Sequence, residues 1–170
     1  GITTQVTVFN NLINFPGCSH ATTQKIVDKI PEVTEVARFL EEHKNMKVGD
    51  ALIDQDYYIA ERKLIEYLDL QFVEGSAGNF KAPKQAIISE QLAYKLGIRG
   101  EALKHQVQLL DSINYESYQI IGVYKDIPAN TSIRTDMFLP YNNYLDESPK
   151  HVSDPGQYDL STLIKVAEGS

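Results

Sequence analysis

Residues 118–132, YQIIGVYKDIPANTS, join an apolar run to a charged turn that contains a proline. The run is aliphatic, β-branched and aromatic, which is typical of a strand buried on both faces, although a buried helical segment can have the same pattern. Gly122 interrupts it and indicates that another backbone or a packed side chain comes close there. Asp126, Pro128 and Ser132 belong to the turn that ends the strand. We therefore expect a core strand held at its end by a tight turn.

Outward from this stretch, the chain contains many short strand patterns and few helical ones. Strand patterns occur at residues 2–9, 33–40, 51–60, 86–88, 106–110, 135–140 and 163–166. Helical spacing follows Thr22 or Thr23, recurs at residues 64–68, and follows Ser89, a good N-cap. Many short strands with about three short helices predict an α+β fold with mixed or antiparallel sheets. They do not predict the regular alternation of an α/β protein.

Turn signals separate these patterns. Phe15-Pro16-Gly17 predicts a loop, and the polar residues 41–48, which Gly49 follows, predict a hairpin tip. Residues 111–116 predict a second hairpin loop. Gly75 begins a glycine-rich loop, but neither the lysine nor the helix of a phosphate-binding loop follows it at the required spacing.

Composition narrows the class of partner. The chain has 170 residues and a net charge of −7, and its basic residues are scattered, which disfavours a nucleic acid or an anionic membrane surface as partner. Its single cysteine, Cys18, cannot form an intrachain disulfide and does not reveal the compartment. No stretch is long and apolar enough to span a bilayer, and no signal peptide is visible. A domain taken from between two transmembrane helices would have the same features.

The sequence predicts no catalytic residue, no metal site and no cofactor. Asp54 and Asp56 form a D-x-D pattern, but isoleucines occupy the glycine and glutamate positions of a calcium-binding loop. The histidines are far apart and lack the spacing of zinc ligands; they are His20, His43, His105 and His151. For Asp126 we expect a structural role, in which its carboxylate accepts backbone N–H bonds from Ala129, Asn130 or Ser132.

The tyrosines offer a candidate partner surface. The chain has ten tyrosines and no tryptophan, and tyrosine is enriched at protein interfaces. The residues that we assign to this surface are Tyr57, Tyr58, Tyr141 and Tyr144. The alternative is that they are half-buried residues of the sheet.

Several segments, taken in order, resemble the MacB-like periplasmic core domain of MacB/FtsX-type ABC transporter permeases. They are PEV at 31–33, DYYIAERKLIEYLDLQFVEG at 56–75, AIISEQLAYKLG at 86–97, GEALKHQVQLL at 100–110, the opening stretch, and MFLPY at 137–141. Leu103 departs from the pattern because the family usually has a glycine before the lysine that is Lys104 here. The resemblance rests on the order and spacing of these segments.

The resemblance implies one extracytoplasmic domain over residues 1–170. It would have a porter-like β-α-β lobe, at about 2–45 and 135–170, and an inserted lobe with return strands at about 50–130. The chain ends soon after its last strand pattern, so we expect the porter-like lobe to be abbreviated.

The implied function is non-catalytic and periplasmic. The parent permease would contribute transmembrane helices, and a separate cytoplasmic ATP-binding subunit or domain would hydrolyse ATP. Movement of this domain would act on a periplasmic adaptor or on lipoprotein or peptide cargo, in efflux or mechanotransmission. One alternative is a periplasmic sensor domain with a deep, aromatic-lined small-molecule pocket. Another is a small hydrolase with a strongly perturbed carboxylate or histidine in such a pocket.

Overall fold

Ten strands form one mixed sheet in the computed structural model, which describes residues 7–9, 12–18, 25, 28–29, 33–128, 133–143 and 160–166. The strands are β1 (Thr7–Phe9), β2 (Leu12–Cys18), β3 (Val33–Val48), β4 (Ala51–Ala60), β5 (Phe72–Gly75), β6 (Gln85–Ser89), β7 (Gln106–Asp111), β8 (Asn114–Tyr124), β9 (Met137–Pro140) and β10 (Leu160–Val166). The helical elements whose full bounds lie within the described residues are α1 (Arg62–Leu68), α2 (Glu90–Lys95) and a 3-10 turn, Ala102–Lys104.

The strand order is β1-β2-β10-β3-β4-β9-β6-β8-β5, and β7 pairs with both β3 and β8. The β4–β9 and β6–β8 pairs are parallel, and the other pairs are antiparallel. The predicted α+β class with a mixed sheet is therefore confirmed.

Six of the strands close into a ring, in the order β3-β4-β9-β6-β8-β7. The ring closes because β7 pairs with β8 along its whole length and meets β3 where Met46 lies opposite Leu109. All six strands contribute buried side chains to one cluster, among them Met46, Tyr57, Ile88, Leu109, Tyr118, Ile120, Met137 and Leu139. Closure of a sheet removes its unpaired edges and encloses an apolar interior, so this cluster is the core of the ring.

A second cluster covers the outer face of the same strands. Leu64 and Ile65 of α1 pack there against Ile87, Tyr124 and Phe138. Ile87 alternates with Ala86 and Ile88, which belong to the inner cluster, so β6 is buried on both faces. β8 shows the same alternation towards Tyr124, as expected from its continuous apolar run.

The hairpin of β3 and β4 corrects one prediction. Residues 41–48 are strand, and they pair with β4 up to Val48 opposite Ala51. The turn is therefore confined to Gly49 and Asp50, and Gly49 has a φ of +59° at the first turn position, where a type II′ hairpin turn takes glycine. The polar side chains misled the prediction because one face of this strand is exposed, whereas Met46 on the other face is fully buried.

The opening β-α-β unit is split by the last strand. β10 pairs antiparallel with both β2 and β3, so β2 and β3 run parallel on either side of it. Between them, Lys25, Asp28 and Lys29 are helical and exposed, and the rest of the helix predicted after Thr22 or Thr23 lies outside the described residues.

The loop predicted at Phe15-Pro16-Gly17 is wrong, because these residues are part of β2. A register shift of β10 between Leu160 and Thr162 lies opposite them. Such an irregularity allows a proline to remain within a strand.

Candidate functional site

β5 and β8 are paired, and two glycines lie opposite each other in this pair. Gly75 and Gly122 are direct partners in the antiparallel register. A Cβ on Gly75 would overlap the carbonyl oxygen of Ile121, and Gly75 has a φ of +58°. A Cβ on Gly122 would lie 2.7 Å from both the Phe72 ring and the carbonyl oxygen of Ser76. These two residues allow the backbones to approach closely and carry no chemistry of their own.

Asp126 joins the end of β8 to helix α2. Its Oδ1 accepts the backbone N–H of Gln91, at 3.1 Å, in the first turn of that helix. The helix is also capped by Ser89, as predicted, because Ser89 Oγ accepts the Leu92 N–H at 3.1 Å. Asp126 and Pro128 are exposed.

The predicted bonds from residues 129–132 to Asp126 stay predictions, because Ser132 and its neighbours lie outside the described residues. The bond to Gln91 could not be foreseen, since 35 residues separate the two partners.

The tyrosines are placed differently from the predicted partner surface. Tyr57 is 2% exposed and Tyr141 5% exposed, so neither can contact a partner from this position. Tyr58 is half-buried and packs against the rings of Phe39 and Phe138, and its burial, followed by the charges of Glu41 and Asp56, raises its pKa. Tyr144 lies outside the described residues.

Apolar side chains are exposed instead near the hairpin ends of the ring. Ile113, in the turn between β7 and β8, is 88% exposed; Tyr115 and Leu52 are about half-exposed. Leu52 lies directly opposite Lys47, so the two side chains share one face of the hairpin. The Lys47 ammonium lies 5.5 Å from the Tyr115 ring centre. We call these four residues the hairpin patch.

The hairpin loop predicted at residues 111–116 is too long, because Asp111 ends β7 and Asn114 begins β8, and the sequence did not predict this patch. The available signal was an isoleucine between two polar residues, Ser112 and Asn114, where no core contact is expected.

Two ion pairs connect residues in or next to the ring near this patch. Lys44 of β3 lies 3.9 Å from Asp111 of β7, and Lys84 Nζ lies 2.8 Å from Glu116 of β8. The hydrogen bond from Lys84, then its charge, and to a smaller extent the charge of Lys44 hold the pKa of Glu116 below its usual value. Lys84 also lies 4.9 Å from the Tyr118 ring centre.

The sensor and hydrolase hypotheses both concern pockets and the ionisable residues near them. Within the described residues, no group of three or more His, Cys, Asp or Glu side chains is arranged to hold a metal. The carboxyl group whose pKa is displaced, Glu116, is exposed and ion-paired, which differs from the buried acid that a hydrolase would use. Among the described residues, three clefts of about 420–460 Å³ open to solvent, and their linings are mixed, with Phe80 and Tyr141 in one and Tyr67 in another.

The described part of the chain contains no helix with the length and apolar character needed to cross a bilayer. No curated protein sequence matches the chain.

The fold is shared with solved structures, of which three are described. A domain of a putative permease from Porphyromonas gingivalis has 22% identity and a TM-score of 0.75, and the alignment covers 92% of this chain and 65% of that domain. The periplasmic region of MacB from Actinobacillus actinomycetemcomitans has 13% identity, a TM-score of 0.65, and coverage of 95% and 77%. The extracellular domain of the noncanonical ABC-type transporter YknZ from Gram-positive bacteria has 16% identity, a TM-score of 0.60, and coverage of 86% and 71%.

This chain therefore spans somewhat less than two thirds of the Porphyromonas domain. The model of the MacB-like periplasmic core domain matches residues 3–170, almost the whole sequence. Both observations agree with the ordered segments found in the sequence. The chain belongs to the MacB-like periplasmic core domain family of ABC transporter permeases, and its place is on the periplasmic side of the inner membrane.

Proposed function

We propose that this domain has no catalytic activity and couples ATP hydrolysis in the cytoplasm to a partner or cargo in the periplasm. The family assignment carries the proposal, because it implies membrane helices and an ATPase in the parent transporter. The contribution of this domain would be mechanical, either in efflux or in mechanotransmission.

The closed ring is suited to such a role. Its interior is filled by side chains from all six strands, and close-packed interiors transmit displacement with little compression. The ion pair Lys44–Asp111 joins β3 to β7, and Lys84–Glu116 joins the residue before β6 to β8. A force applied to the β7–β8 hairpin would therefore reach β3, and through β3 the strands β10 and β2.

We further propose that the hairpin patch is where the partner binds. An isoleucine that is 88% exposed, together with a half-exposed leucine and tyrosine, is the composition of a small docking site, with Lys47 adding one positive charge. Three of its four residues belong to the segment 50–130 that we propose as the inserted lobe. The partner would be a periplasmic adaptor, or a lipoprotein or peptide cargo.

Site-specific photocrosslinking in the full-length permease, in its native membrane and with its ATPase, would test both proposals. A photoreactive phenylalanine would replace Ile113, and Lys104 would serve as control position, because its side chain is 77% exposed but lies outside the patch. We expect a distinct adduct from position 113 that is weakened by Leu52→Ser. Its yield should change when the ATPase is trapped with ADP and vanadate.

Two results would contradict these proposals. The same adducts from positions 104 and 113, or none from position 113, would exclude the hairpin patch as the docking site. An adduct whose yield does not change with the nucleotide state would count against coupling while leaving docking intact.

A further inference from the structure

A second surface, distinct from the hairpin patch, is a cleft of about 460 Å³ beside the start of α1. Its charged lining residues are Arg38, Glu61, Arg62, Lys63 and Lys81, and two asparagine amides, Asn79 and Asn142, add hydrogen-bonding groups. Side chains from β3, α1, the loop between β5 and β6, and the segment after β9 meet here. We call this the basic cleft.

The floor of the basic cleft is fixed by one ion pair. Glu61 Oε1 accepts hydrogen bonds from Arg38 N at 2.7 Å and Arg38 Nε at 2.6 Å, and Oε2 accepts one from Nη2 at 3.2 Å. The Arg38 guanidinium also lies 5.7 Å from the ring centre of buried Tyr141. Arg38 and Glu61 are 18% and 25% exposed, so the pair is well shielded and holds the floor in one geometry.

The side chains that line the basic cleft carry an excess of positive charge. Among the described lining residues, four basic side chains face one carboxylate, which leaves a local charge of +3 from these residues in a chain whose net charge is −7. Glu66, outside the lining, pairs with Arg62 at 3.0 Å and with Lys63 at 3.3 Å, and counting it still leaves +2. Concave surfaces lined by one sign of charge concentrate the field and attract the opposite sign.

We propose that the basic cleft binds a phosphate-bearing anion. A phosphate carries up to two negative charges, which matches the local excess, and its oxygens accept hydrogen bonds from several directions. The Arg38–Glu61 floor, the other basic side chains and the two asparagine amides surround the cleft, so that donors face it from several directions. The same chemistry occurs in free phosphate and in the headgroup of an anionic phospholipid. The scattered basic residues of the sequence argued against a nucleic acid or an anionic membrane surface as partner, and the fold brings four of these residues together.

Two assays on the purified domain would separate the two sources. Calorimetric titration with inorganic phosphate detects a soluble anion site. Co-sedimentation with phosphatidylglycerol vesicles, against vesicles of phosphatidylcholine alone, detects a headgroup site. Binding in either assay, weakened by the substitutions below, supports the proposal, and the assay that responds identifies the source.

The variant is the double substitution Lys63→Gln and Lys81→Gln, which leaves the Arg38–Glu61 floor intact. We expect binding to weaken roughly tenfold or more, since each charge-assisted hydrogen bond to an anion contributes on that scale. Lys104→Gln is the matched control, because it removes a lysine with an i,i+3 glutamate partner, like Lys63, but outside the cleft.

No binding in both assays would overturn the proposal. So would an equal loss from Lys104→Gln, because binding would then follow net charge rather than the cleft. Circular dichroism of each variant establishes that it is folded before binding is compared.

Discussion

The two ends of strand β8 are built in opposite ways. At its C-terminal end, Gly122 lies against Gly75, and Tyr124 is fully buried with its hydroxyl donating to the carbonyl oxygen of Thr135 at 2.8 Å. At its N-terminal end, Tyr115 is about half-exposed and follows the exposed turn residue Ile113. The same strand is thus framework at one end and surface at the other.

The number of neighbouring strands explains this difference. Near Gly122, β8 is paired on one side with β6 and on the other with β5, and helix α1 covers one face. Near Tyr115 it pairs with β7 alone. A strand flanked on both sides tolerates few substitutions, whereas a hairpin end can vary and is free for contacts.

The largest expected effect is at the framework end. Gly75→Ala would force a Cβ against the Ile121 carbonyl oxygen at a positive φ, so we expect a loss of about 3 kcal/mol or more in the free energy of unfolding. Gly78→Ala is the control, because Gly78 has a similar φ of +56° but open space around it. Urea denaturation measures both variants, and equal losses would refute the steric explanation.

A second substitution at the framework end, Ser89→Ala, should lower the free energy of unfolding by less than Gly75→Ala does. Ser89→Ala removes the cap of α2 and the hydrogen bond from Ser89 Oγ to Asp136 Oδ1, at 2.7 Å, for an expected loss of about 1–2 kcal/mol. Ser117→Ala, near the hairpin end, removes one long bond of 3.4 Å from Gln108 and should change stability little. A similar loss from both would mean that the two ends of β8 do not differ as described.

A smaller, pH-dependent effect is expected at Glu116. Because Lys84 lowers its pKa, the folded protein releases this proton more readily than the unfolded chain. The stabilisation is therefore complete above the usual value of about 4.5 and disappears as the pH falls through the lower folded-state pKa. The stability difference between wild type and Glu116→Gln should shrink over that acid range.

Thermal melts between neutral pH and the acid range would measure the stability difference between wild type and Glu116→Gln. Glu101→Gln, which removes only a 3.9 Å contact with Lys104, is the control for loss of a surface carboxylate. A difference between wild type and Glu116→Gln that stays constant with pH would contradict the ion-pair explanation.

The smallest effect on stability belongs to Ile113→Ser. An exposed turn residue away from caps and ion pairs usually changes stability by less than about 0.5 kcal/mol. The same substitution should nevertheless reduce partner capture by the hairpin patch, for example crosslinking from position 52 in the full-length permease. A large drop in melting temperature would show that Ile113 supports the fold.

Local patterns predicted the elements that depend on local chemistry. Ser89 is a serine before an apolar stripe, and it caps α2. The apolar run at 118–124 became a strand buried on both faces, because such a run can lie only where both faces are covered. The hairpin tip placed at residues 41–48 was wrong because polar residues on the exposed face of a strand resemble a loop when the pairing partner is unknown.

The surface residues were beyond local reasoning. Tyr57 was assigned to a candidate partner surface by residue type, and residues 111–116 were predicted only as a hairpin loop. In the structure Tyr57 is buried in the ring, and Ile113, in that turn, is exposed. Exposure depends on which strands lie alongside, and those pairings join residues far apart in the chain.

The sequence by itself determined the family, the α+β class and the cap of α2. Ordered motifs, apolar runs and capping residues can be recognised from residues that are close together in the chain. Only the tertiary structure decided that Met46 meets Leu109 to close a ring, that Gly75 faces Gly122, and that four scattered basic residues line one cleft. These arrangements depend on long-range pairing, whose energy comes from burying side chains that no local pattern can match to one another.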